Sequence, residues 1–76
     1  MPYSLPVPMV LTIELEQEAD GRWLAEVPEL PGVLVYGESP AKAAQLVRAL
    51  AFRVLADRIE AGDEQVVAID SVSFAA

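Results

Sequence analysis

Residues 20–43 read DGRWLAEVPELPGVLVYGESPAKA, and this stretch leaves the chain few choices. Pro28 cannot donate to a sheet ladder, so a strand entering the stretch must stop there. Pro31-Gly32 then turns the chain back. Upstream, Asp20-Gly21 supplies the positive backbone angles of a tight hairpin. Between the two turns, Trp23, Ala25 and Val27 alternate with Arg22, Leu24 and Glu26, the period of a strand. Residues 33–36 are short, apolar and rich in valine, which reads as another strand, and Gly37 ends it. Ser39 has the chemistry of a helix N-cap and Pro40 that of a first helical residue.

The flanks extend this core. In residues 9–17, Met9, Leu11, Ile13 and Leu15 alternate with Val10, Thr12, Glu14 and Glu16, one continuous strand. A two-residue turn at Asp20-Gly21 would pair Leu15 with Glu26 and mix the two faces, which strand pairing forbids. A three-residue loop, Ala19-Asp20-Gly21, pairs Leu15 with Ala25 and Ile13 with Val27 and puts Gly21 in the left-handed position of a bulge. It also sets Glu14 opposite Glu26, a mildly unfavourable like-charge pair. The second corner should bring Val33 opposite Val27 and Val35 opposite Ala25.

From Pro40 the spacing predicts a helix to about residue 61, ended by Gly62. Ala43, Val47, Leu50, Ala51 and Val54 form its apolar stripe, widened on one flank by Phe52, Leu55 and Ile59. The last strand is expected in VVAID, residues 66–70, with Val67 and Ile69 facing the core. Val72 and Phe74 fall on the opposite phase, so the tail is free for another contact. The order is β-β-β-α-β, an α+β fold. A right-handed crossover sets the last strand parallel to the first in a mixed four-stranded sheet of order 3-2-1-4, with the helix on one face. That arrangement is the start of a ribonuclease H-type topology.

Asp20, Gly21, Trp23, Ala25, Pro28, Pro31, Gly32, Gly37, Glu38, Ser39 and Ala43 match a pattern of the HicB-like antitoxin family, which this sequence resembles over most of its length. Pro28-Glu29-Leu30-Pro31-Gly32 is the most specific part. Gly21, Trp23, Pro28, Pro31, Gly32, Gly37 and Ser39 are the structural positions of the motif. The chain departs from the pattern at Val33, where a cysteine is usual, and at Ala41 and Lys42, where an acidic pair is usual. No DNA-binding segment follows the last strand. The resemblance implies the partial ribonuclease H-like fold and a protein-binding role: masking a small, basic, mRNA-cleaving toxin.

Composition bounds the function further. The 76 residues suit a single domain, and a chain this short buries only about 60% of its unfolded surface. Yet 54% of it is hydrophobic, with mean hydropathy +0.36. That excess predicts self-association as a dimer or tetramer, through Phe52, Leu55 and Ile59 or through Leu24, Leu34 and Tyr36. The chain has no Cys and no His, which removes thiolate, Cys-metal and His-activated nucleophile chemistry. Glu14 and Glu16 point the same way, but a hydrolytic Mg²⁺ site needs more carboxylates and only Glu26 is at hand. Gly32 and Gly37 lack the Lys-Ser/Thr of a phosphate loop. No enzyme activity and no cofactor are expected.

Net charge is −7. Glu14, Glu16, Glu18, Asp20, Glu26, Glu29 and Glu38 precede the helix against Arg22 alone, whereas Lys42, Arg48, Arg53 and Arg58 lie on the helix. An acidic sheet repels phosphate backbones, so no direct nucleic-acid binding is expected, and it steers a basic partner inward. The plainer reading is that the charge keeps an apolar domain soluble. Contact residues for a partner would be Glu14, Glu16, Glu26 and Glu29, with Leu24, Leu30, Leu34 and Tyr36 as apolar anchors. The proline-rich start has no basic region, so it is not a signal peptide, and no apolar run is of membrane-spanning length. A soluble cytoplasmic protein is the expectation. The alternative to an antitoxin-like module is an orphan homo-oligomeric domain with no toxin partner.

Overall fold

The computed structural model describes residues 7–76. The first six residues of the proline-punctuated segment lie outside the described residues. The elements run β1 (Val7–Thr12), β2 (Glu14–Gln17), β3 (Trp23–Glu26), β4 (Leu34–Gly37), α1 (Pro40–Glu60) and β5 (Ile69–Ala75). The fold is mixed α+β, with five strands in two sheets, β2-β3-β4 antiparallel and β1-β5 parallel.

The hairpin takes the three-residue loop. Leu15 faces Ala25 and Glu14 faces Glu26, the Glu18 N–H donates to the Arg22 carbonyl, and Gly21 has φ 90°. The proline corner is two successive β-turns. Leu30 N–H donates to the Val27 carbonyl and Val33 N–H to the Leu30 carbonyl, both at 3.0 Å. Each turn carries a proline at its second position, and Gly32, at φ 84°, gives the second its type II form. Leu30, shared by both turns, is driven into the core and is only 2% exposed. The corner sets Ala25 opposite Val35, and the Val27 N–H reaches the Val33 carbonyl.

The expected single sheet of order 3-2-1-4 is not formed. The first strand breaks at Ile13 because its two halves have different neighbours. Residues 14–17 pair with β3, which stops before Pro28; residues 7–12 pair with β5 on the other edge. Beyond the end of β3, the carboxylate of Glu29 stands where a strand would. It accepts from Thr12 N–H at 2.9 Å and Thr12 Oγ1–H at 2.7 Å.

The last strand starts later than expected. Asp63 organises residues 63–67 as a turn: its carbonyl accepts from the N–H groups of Val66 and Val67, and its Oδ1 from Gln65 N–H. Val66, not Val67, is therefore the buried residue. Residues 72–76 are not a spare tail. β5 includes Val72 and Phe74, and both pack on the core beside Ile69. A register shift reconciles their phases: Val7 faces Ile69 but Pro8 faces Ser71, leaving Asp70 as the extra residue of a bulge. Its Oδ1 accepts from Val7 N–H at 3.0 Å.

Helix α1 packs on β3 and β4 and only lightly on β2. Ala43, Val47, Ala51 and Leu55 meet Ala25, Val27 and Val33 in the core, while Leu15, under the uncovered part of the sheet, is left exposed. Ser39 caps the helix, its Oγ accepting from Lys42 N–H at 3.0 Å. At the other end Gly62, at φ 77°, and Asp63 donate to the Ile59 and Arg58 carbonyls, a Schellman closure. Arg58 Nε ties to Asp63 Oδ2 at 2.9 Å.

Candidate functional site: the outer face of the three-stranded sheet

The face of β2-β3-β4 turned away from α1 is a small lattice whose rows are set by register. Glu14, Glu26 and Leu34 make one row; Glu16, Leu24 and Tyr36 make the next. Glu14 and Glu16 stand on one side of β2, roughly 7 Å apart from the strand rise, and Glu18 continues their line. Leu34 and Tyr36 are 42% and 41% exposed; Leu24, on the central strand, is half-buried. The result is an apolar strip along β3 and β4 bordered by a carboxylate line on β2.

Tyr36 is held in place. The Arg22 guanidinium lies 4.1 Å from its ring centroid, and its hydroxyl donates to Glu18 Oε1 at 3.4 Å. Arg22 is itself bound by Asp20, through Nε at 2.7 Å to Oδ2 and through its N–H to Oδ1. These two bonds hold the Asp20 carboxyl below the ordinary aspartate range. Arg22 is thus engaged by the hairpin, so it leaves the acidity of the β2 line unrelieved. Glu18 and Arg22 join the site through the fold rather than through any sequence motif. The parity that groups Glu14 with Glu16 also reaches Glu18, but its proximity to Tyr36 depends on the three-strand register.

Two expected contact residues are not on this face. Leu30 is a core residue, plugged between the two turns. Glu29 is exposed, but its carboxylate is spent on Thr12, and the two bonds lower its pKa from the usual glutamate value. Of the self-association candidates, Phe52 and Ile59 are exposed, whereas Leu55 is 3% exposed and belongs to the core. Phe52 meets Phe74 edge to face at 5.5 Å. Phe52, Ile59, Ile69 and Val72 border an open apolar groove of about 360 Å³ between α1 and β5.

Among the described residues, no three acidic, His or Cys side chains converge closely enough to hold a metal ion, and no helix is long and apolar enough to cross a membrane. No family model, curated protein or solved structure matches the chain.

Proposed function

We propose that this protein is an antitoxin-like binding module. Its outer sheet face captures a small, basic, mRNA-cleaving toxin in the cytoplasm and covers the toxin's active site. The observation that carries the reading is the pairing of exposed Leu34 and Tyr36 with the unrelieved carboxylates of Glu14, Glu16 and Glu26 on one rigid surface. Such a surface attracts a cationic partner over distance and holds it by desolvated apolar contact. The resemblance of residues 20–43 to the HicB-like pattern supplies the partner class. The role is recognition rather than catalysis.

Co-expression with the product of the adjacent short basic reading frame is the test. Rescue of growth and a salt-sensitive complex are expected. A product equally toxic with and without this protein would leave the orphan homo-oligomer reading, which the open groove between α1 and β5 favours.

A further inference from the structure

Among the described residues four strand edges lack a partner strand, and three of them are blunted. On the outer edge of β1, Pro8 has no N–H and the Thr12 N–H is taken by Glu29. The outer edges of β2 and β4 are each only four residues long. The outer edge of β5 has neither protection. It runs seven residues, IDSVSFA, with no proline and no lysine.

The hydrogen-bond pattern fixes which groups this edge presents. Ile13 N–H donates to the Ala75 carbonyl, so Ala75 faces β1. By alternation Ser71 and Ser73 also face β1, and Val72 and Phe74 turn their N–H and C=O outward. Their side chains lie on the helix side, beside the apolar groove walled by Phe52 and Ile59.

We propose that the occupant of this edge is a second copy of the chain, paired antiparallel through β5 about a two-fold axis at Ser73. In that register Val72 lies opposite Phe74 of the second copy, and each pair exchanges two backbone hydrogen bonds. Ser73 faces Ser73 across the axis. The aromatic–β-branched pairs fall on the groove side, where such pairs stabilise a sheet. They bring Phe74 of each copy to the mouth of the other's groove. The register one step away would put Phe74 opposite Asp70 and include the bulge. Ser71 to Ala75 carry no charged side chain, so no like-charged side chains face one another within the paired segment. Isologous pairing of this kind also closes, using up both β5 edges and leaving only the blunted ones.

The test is sedimentation velocity on the full chain at micromolar concentration and physiological salt. Wild type should be a dimer. Ser73 is exposed and points away from the core, so Ser73→Glu and Ser73→Lys should keep the wild-type circular dichroism. Each should weaken the dimer by about tenfold or more, because like charges would stand directly opposite. Mixing the two variants should restore a dimer. A monomeric wild type would overturn the proposal. So would a wild-type dimer that Ser73→Glu leaves intact, because the contact would then lie on another face.

Discussion

Gly37 shows how one residue can be required for a reason its sequence context hides. A glycine ending a strand suggests a backbone angle closed to other residues, yet Gly37 is not among the positive-φ glycines. Its constraint is space: a Cβ there would lie 2.5 Å from the Ala43 nitrogen in the first turns of α1. Backbone cannot yield as a side chain can. Gly37→Ala should therefore destabilise the fold by about 1–3 kcal/mol, the range of overpacked sites, measured by urea unfolding. Ser39→Ala removes the N-cap and should cost about 1 kcal/mol; unchanged stability would mean that the Ser39 Oγ bond contributes nothing. Glu29 adds a pH dependence. Its folded pKa is lowered by the Thr12 bonds, so its contribution is present above the unfolded glutamate pKa and lost as pH falls through the folded value. Glu29→Gln should lower stability at neutral pH and flatten the acid side of the profile, the difference from wild type closing as pH falls from about 4.

At the level of elements, legibility followed how local the determinants were. The hairpin register, the proline corner and both helix ends rest on residues within a few positions of one another. Face parity alone rejected the two-residue turn. What failed was set by distant partners. The break at Ile13 depends on where β5 and β3 end relative to each other, which no alternation in residues 9–17 reveals. The phase conflict between Ile69 and Val72 marked a bulge, but periodicity cannot distinguish an inserted residue from a change of face. Val66 and Val67 are equivalent by composition; the Asp63 turn decides between them. The site was half legible for the same reason. Strand parity placed Glu14, Glu16, Leu24, Glu26, Leu34 and Tyr36 on one face, whereas Leu30 sits in a loop that has no parity. Truncating the plug tests this account: Leu30→Ala should cost about 2–5 kcal/mol, as buried leucines do. A smaller loss in thermal unfolding would mean that the corner does not depend on its plug.

For the whole molecule, the two proposed surfaces do not share a residue. The outer face belongs to β2-β3-β4, and the edge belongs to β5, which sits in the other sheet. A partner on the first should therefore leave the second open, and the complex should contain two copies of each chain. Charge and apolar contact on the outer face separate kinetically. Replacing Glu14, Glu16 and Glu26 by glutamine should slow association and remove most of its salt dependence, because exposed charges act at long range and are screened. Tyr36→Glu should instead speed dissociation, since it removes the apolar anchor and places an acid next to Glu18. Neither change touches β5, so both variants should sediment as wild type does without partner. Surface plasmon resonance in two salt concentrations, run beside sedimentation of the same samples, separates these effects. If Tyr36→Glu altered the oligomeric state and Ser73→Glu did not, the assignments of the two surfaces would have to be exchanged.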